Sequence, residues 1–216
     1  MSDKFSETAA SLVALAGTLH ARGWMLGTSG NLSAVTEREP LRLAITPSGA
    51  DKGELRESQI LLVDQDCECL NENGGKPSDE SLLHLAVVKA KGAGAVIHTH
   101  SVFATVLSDL HSAAGGVAIE GYEMLKGLSG VSSHLHREWL PIVENSQDMP
   151  ALAETVNQML EKPTDVHAFF LRRHGLYTWG RHLSEAKRHV EILEFLIEVM
   201  CRTRAYREAS PPAVNR

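Results

Sequence analysis

Three histidines carry the strongest chemical signal in this chain. His98-Thr99-His100 places two imidazoles at i and i+2 directly after the apolar run Ala95-Val96-Ile97. If that run is a strand, both rings project from one face and can reach one ion. His174 follows a second apolar run, Ala168-Phe169-Phe170-Leu171, and sits just before Gly175. Three imidazoles with a fourth position open to substrate form the donor set of a catalytic zinc site, because a structural site closes all four positions with protein ligands. An ion so held polarises a carbonyl and eases loss of a proton from the carbon beside it.

Spacing alone does not single out these residues. His134-Leu135-His136 is a second H-x-H pair, but it lies near serines with no apolar strand leading into it, which makes it the weaker metal pair. Cys67-Glu68-Cys69 lacks a second thiol pair and reads as one face of a short strand rather than a zinc knuckle. Neither G-x-G-x-x-G nor G-x-x-x-x-G-K-[ST] occurs, which argues against a dinucleotide or a nucleoside triphosphate.

The elements that must hold the histidines are legible from periodicity. Leu12, Leu15, Ala16 and Leu19 predict a helix over residues 6–22 that stops at Gly23. Short runs at 32–35, 41–45 and 60–63 predict three strands, the first two joined by a hairpin-like connection, and 71–77 is a loop. Ser78 is expected to cap a helix reaching Lys91, and Gly92 to end it. The strand 95–97 leads into the histidine pair, Ser101 caps a helix to Leu110, and 120–128 reads as a short helix. A strand at 139–143, a helix opened by Asp148 and Pro150, strands at 166–171 and 176–179, and a long helix over 184–206 complete the series. Ile192, Phe195, Leu196 and Val199 stand at core spacing on that last helix.

With 216 residues and 43% hydrophobic content the chain supports one substantial core, so a single α/β domain is expected over 1–207, with a flexible tail at 208–216. The net charge of −6 is spread along the chain and leaves no basic footprint, so neither nucleic acid nor an anionic membrane is an expected partner. No apolar stretch of signal-peptide or membrane-spanning length is present, and three cysteines argue for a reducing compartment, so a cytoplasmic location is expected.

A family likeness emerges from motifs taken in order: Gly27-Thr28-Ser29-Gly30-Asn31-Leu32-Ser33, Thr46-Pro47-Ser48-Gly49, Pro77-Ser78-Asp79-Glu80, His98-Thr99-His100-Ser101 and Arg173-His174-Gly175. Over nearly its whole length the chain resembles the class II aldolase and adducin family. Gly121-Tyr122-Glu123-Met124-Leu125-Lys126-Gly127-Leu128 and Pro141-Ile142-Val143-Glu144-Asn145 are similar to segments of the branch that dehydrates methylthioribulose 1-phosphate in methionine salvage.

The resemblance implies a three-layer α/β/α sandwich around a largely antiparallel sheet, a homotetramer with sites near subunit interfaces, and one zinc ion per subunit on His98, His100 and His174. It implies a small-molecule sugar phosphate as substrate and a lyase reaction. It also names Glu123 as acid and base, with Glu80, at the aldolase glutamate position, as the second candidate. For the phosphate it points to Ser29, Asn31, Ser48 and Gly49, assisted by Ser78 and Lys52, which offer hydroxyls, N–H groups and one cation. The aldolases read Ser-Ser-Glu where this chain reads Ser78-Asp79-Glu80, and a carboxylate beside a phosphate repels it, so Asp79 is expected to point away. Two other readings stay open: a sugar-phosphate aldolase or 4-epimerase, and a non-enzymatic adducin-like binding module.

Overall fold

Apolar runs bounded by glycine and polar turns become strands, and the 3.6-residue patterns become helices. The structure, a computed structural model, describes residues 3–71, 75–162 and 165–209. The elements are α1 (Asp3–Ala21), β1 (Asn31–Arg38), β2 (Leu41–Ile45), β3 (Leu61–Val63), α2 (Ser81–Lys91), β4 (Ala95–Thr99), α3 (Val102–Leu110), β5 (Gly116–Ile119), β6 (Glu138–Val143), α4 (Met149–Glu161), β7 (Ala168–Leu171), β8 (Gly175–Gly180) and α5 (Leu183–Ala209).

The strands form one sheet in the order β3-β2-β1-β4-β8-β7-β6-β5, and every neighbouring pair is antiparallel except β6 and β7. Alternation along each strand divides the side chains between two faces. Val96, Phe169, Leu171, Tyr177 and Trp179 pack with α2 and α4. On the other face Ala95 and Ile97 pack with α1 and the start of α5, while Ala168, Phe170 and Leu176 pack with α3 and the rest of α5. This is the expected three-layer sandwich with a largely antiparallel sheet. β4 lies near the middle, so the end that carries His98 is enclosed from both faces.

Several local expectations are corrected. β5 was not expected, because Gly115, Gly116 and Ala118 give a weak strand signal; pairing with β6 makes it a strand. The short helix expected over 120–128 forms as a five-residue 3-10 helix, Glu123–Gly127, which begins only after Gly121 at φ +80°. Ser78 does not cap α2. Its hydroxyl accepts from the Glu80 N–H at 3.3 Å in the turn before the helix, and Glu80 itself holds the N-cap position without a side-chain cap bond. Phe195 is 47% exposed, whereas Glu194 beside it is buried, because the buried stripe of α5 runs through Leu193, Leu196 and Ile197. Cys67 lies at φ +64° in a turn organised by the Asp64 carboxylate, not on a strand face. α5 continues to Ala209, two residues into the expected tail, and 210–216 lie outside the described residues.

The second histidine pair does not converge. His136 bonds the fully buried Glu138 carboxylate through Nε2 at 2.9 Å, while His134 sits 4.0 Å from Glu123. Glu138 also accepts from the His167 N–H at 3.0 Å and from His167 Nδ1 at 2.9 Å, and His167 Nε2 lies 2.8 Å from the Ser129 carbonyl. A carboxylate and a carbonyl only accept, so His167 donates from both nitrogens and is an imidazolium. Burial alone would lower its pKa, but the hydrogen bond and charge of Glu138 outweigh burial and raise it. For Glu138 burial pushes upward, and the bond and charge of His167 together with the His136 bond hold the carboxyl below its usual range.

Two stability outcomes follow. Asp148 caps α4 by accepting from the Ala151 N–H at 3.1 Å, so Asp148→Ala lowers the unfolding free energy by about 1 kcal/mol in urea titration with the slope unchanged. His167 stabilises fully below its unfolded pKa of 6.5 and loses that contribution as pH rises through its raised folded value. Glu138 stabilises above its unfolded 4.5 and loses its share as pH falls through its depressed value. Glu138→Gln therefore destabilises most between pH 4.5 and 6.5, by roughly 3 kcal/mol as for other broken buried pairs, and the gap to wild type narrows at higher pH in urea titrations.

Candidate metal centre

His98 pairs in register with Asn31 of β1 and Tyr177 of β8, on the α2 face of the sheet. The Tyr177 ring stacks on its imidazole with centroids 4.0 Å apart and planes at 13°. His98 Nδ1 is 3.1 Å from the Leu176 carbonyl. That oxygen only accepts, so Nδ1 carries the hydrogen and Nε2 presents its lone pair. His100 lies one residue past the end of β4, where its N–H bonds the Trp24 carbonyl at 2.8 Å. Two residues along the same face, its Nε2 comes within 2.8 Å of His98 Nε2.

His174 arrives from the β7–β8 turn. A Cβ added at Gly175 would stand 1.9 Å from the Thr99 carbonyl oxygen, so only glycine lets β8 begin this close to the end of β4. His174 Nε2 then lies 3.4 Å from His98 Nε2 and 3.0 Å from His100 Nε2, and its Nδ1 is 3.4 Å from Asn145 Oδ1.

Glu80 completes the group. Its Oε1 lies 3.2 Å from His174 Nε2 and 3.6 Å from His98 Nε2, and its Oε2 accepts from Asn31 Nδ2 at 2.7 Å. Behind Asn31 runs a buried relay: Asn31 Oδ1 meets His84 Nε2, and His84 Nδ1 meets the Ser33 hydroxyl at 2.7 Å. Burial pushes the His84 pKa down to about 4, so the neutral ring donates through Nε2 and accepts through Nδ1. Glu80 starts α2 instead of capping it because its carboxylate is drawn into this group.

One ligand atom from each of Glu80, His98, His100 and His174 lies within 4.8 Å of all the others. Two bonds of 2.0–2.1 Å at a tetrahedral angle put ligand atoms about 3.3 Å apart, so the three imidazole separations suit one ion with a slight opening of the closer pairs. Protonation agrees. Burial holds His98 well below the usual histidine range and His100 down to about 4. Burial opposes ionisation of Glu80, but the hydrogen bonds from His174 and Asn31 keep its carboxyl below the usual range. Neutral imidazoles and an ionised carboxylate are the forms that bind a metal. The sequence names Glu80 as an acid or base and leaves the fourth position open; in the structure its carboxylate lies 3.2 Å from His174 Nε2, within reach of the same ion.

The residues expected to hold phosphate gather beside this group. Ser29, Asn31, Ser48, Gly49, Lys52 and Ser78 line a pocket of about 90 Å³ together with Glu80 and His100, a space sized for a headgroup rather than a whole sugar phosphate. Lys52 is 1% exposed, burial lowers its pKa, and its ammonium donates to the Thr28 and Ala50 carbonyls at 3.2 and 2.8 Å, leaving one N–H for a ligand. Asn31 is committed to Glu80 and His84. Asp79 is 73% exposed and lies 3.5 Å from Lys76, outside the pocket lining.

Glu123 stands apart. Its carboxylate is 71% exposed, pairs with Lys126 and takes no part in the four-residue group. A larger cavity of about 760 Å³ between α1 and the start of α5 contains none of that group, so the chemistry and not the volume locates the site.

Sequence reasoning missed Glu194. Thr99 Oγ1 and Ser101 Oγ, which alternate with the two histidines, each donate to its carboxylate at 2.5 Å, and burial pushes that carboxyl up to about 7. Alternating hydroxyls in His98-Thr99-His100-Ser101 were the available signal, but nothing in the sequence named their partner.

Residues 10–201 match the family model described as Class II Aldolase and Adducin N-terminal domain. A methylthioribulose-1-phosphate dehydratase of Methylococcus capsulatus is 42% identical over 200 residues, covering 92% of this chain and 95% of the relative. Its counterpart in Alcanivorax borkumensis is 42% identical over 201 residues, covering 92% and 93%. Among solved structures, the L-fuculose-1-phosphate aldolase of Thermus thermophilus superposes with a TM-score of 0.73 at 23% identity, covering 95% of this chain and 100% of that one, which bears on the fold alone. A family match across most of the chain and relatives of this identity lead to one conclusion: the chain belongs to the class II aldolase and adducin family.

Proposed function

We propose that the chain is a hydro-lyase that dehydrates 5-methylthioribulose 1-phosphate to 2,3-diketo-5-methylthiopentyl 1-phosphate, a step of methionine salvage, using one zinc ion per subunit. The carrying observation is that four metal-competent donors lie together and two of them, Glu80 and His100, line a pocket shared with hydroxyls, a glycine turn and one buried lysine. The substrate is suggested by the names of the relatives at 42% identity. Convergence of three imidazoles and a carboxylate on one spot speaks against a purely structural, adducin-like role.

His98, His100 and His174 would hold the ion, which supplies Lewis acidity to the ketose carbonyl oxygen. The chain's own groups divide the remaining work. Gly49 and Ser48 offer N–H and hydroxyl donors to the phosphate, Ser78 offers a further hydroxyl, and Lys52 offers positive charge on a stem pinned by two carbonyl bonds, while the Ser29 hydroxyl lines the pocket but donates to the Leu26 carbonyl at 2.7 Å. Asn31 directs the Glu80 carboxylate toward His174. A carboxylate must then take the proton beside the carbonyl and return one to the departing hydroxyl, a role typically worth ~10²–10⁴-fold in rate. The position of the Glu80 carboxylate, 3.2 Å from His174 Nε2, supports that role for it. Glu123 can share it only where its exposed surface faces a neighbouring subunit's site, so its role is tied to the proposed homotetramer. No described helix is long and apolar enough to cross a membrane, and a cytoplasmic location belongs to the same proposal.

Purified protein given 5-methylthioribulose 1-phosphate is expected to release water and form the diketone; formation of a three-carbon ketose phosphate instead would reassign it as an aldolase. Chelation should abolish turnover and zinc should restore it, whereas a metal-free chain with full activity removes the metal reading. Glu80→Gln is expected to lower kcat by ~10²–10⁴-fold and to weaken zinc binding; Glu123→Gln should lower kcat comparably with zinc content unchanged. Wild-type kcat in Glu123→Gln would leave Glu80 as the sole acid and base.

A further inference from the structure

The residues between the metal-facing histidines point the opposite way. Strand alternation turns His98 and His100 toward α2, and Thr99 and Ser101 toward α5. There both hydroxyls end on one side chain, Thr99 Oγ1 on Glu194 Oε1 and Ser101 Oγ on Glu194 Oε2, each at 2.5 Å. Glu194 is 2% exposed, is flanked by the buried Leu193, Leu196 and Ile197, and among the described residues has no Lys, Arg or His ion-pair partner. An apolar residue would pack in that layer at lower cost, because a buried carboxylate needs full compensation.

We infer that Glu194 is a positioning residue for the ion site: by gripping Thr99 and Ser101 it sets the direction in which His98 and His100 leave the end of β4. Two adjacent bonds to one carboxylate fix both the rotation of the segment and its spacing from α5. The grip is linked to α3, since the Ser101 oxygen that donates to Glu194 also accepts the Ala104 N–H at 3.1 Å as the helix cap. One turn along, the Thr105 hydroxyl reaches the His174 carbonyl at 3.1 Å, so the same helix start steadies the third imidazole. Groups behind the ligands of a metal site set ligand orientation, and their loss typically weakens metal binding 10–100-fold.

The inference rests on the metal reading proposed above, and the experiment separates the two. Zinc dissociation constants are measured by chelator competition on the full chain for wild type, Glu194→Gln, Thr99→Val and the double variant. Visible spectra of the Co2+-loaded forms and thermal midpoints of the metal-free forms are recorded alongside. Each single variant is expected to weaken zinc ~10–100-fold and to change the cobalt spectrum. The double variant should be weaker than either but short of the product of the two losses, because both act through one contact. Thr99→Val, nearly isosteric, carries the test if Glu194→Gln fails to fold. Folded variants that bind zinc within about threefold of wild type with unchanged cobalt spectra, whatever their thermal midpoints, overturn the inference and leave Glu194 a structural residue. Tight binding by wild type would then still support the metal reading. A wild type that binds no zinc removes both.

Discussion

Three imidazole nitrogens face one another across 2.8 to 3.4 Å in a largely buried place, and the rest of the site is organised around making that tolerable. Lone pairs at that separation repel unless a cation or a proton lies between them, so the rings must be held by what lies behind. The Leu176 carbonyl and the Tyr177 ring hold His98, the Trp24 carbonyl fixes the backbone of His100, and the β7–β8 turn brings in His174. A carboxylate supplies the negative charge that a divalent ion answers.

That constraint accounts for features that otherwise look like local faults. α2 begins on a glutamate with no capping bond, although Ser78 is better suited to the task, because Glu80 is more useful turned toward the imidazoles. The Asn31-His84-Ser33 relay places polar groups in the sheet and in the middle of a buried helix face. Each member finds a partner, so the cost of burial is offset within the network and Glu80 is aimed by a rigid support. A similar logic operates far from the site, where the His167–Glu138 pair stands in the sheet and ties down the Ser129 backbone.

The enclosed side of the site and its open side differ in character. Strand ends, with side chains locked by pleat and packing, carry the histidines. Turns built on glycines and serines, at 27–31 and at Ser48-Gly49, carry the pocket beside them. A metal-held carbonyl demands fixed directions, whereas a phosphate is satisfied by several donors arranged around it, and loops supply those most readily.

The sequence by itself determined the elements with strong periodicity and the identity of the donors. Short apolar runs at 95–97, 139–143 and 176–179 predicted β4, β6 and β8, and Gly23 and Gly92 marked helix ends where their φ angles are indeed positive. The H-x-H step at the end of an apolar strand already implied two rings on one face, because strand alternation is a local property. Tertiary structure alone decided what depends on distant segments meeting. β5 exists because β6 pairs with it, and Phe195 lies outside because Glu194 lies inside. Glu80 joined the imidazoles through Asn31, 49 residues away in the chain, and the support for Thr99 came from Glu194, 95 residues away. Local pattern records which face a side chain takes. Only the packed sheet records what waits for it there.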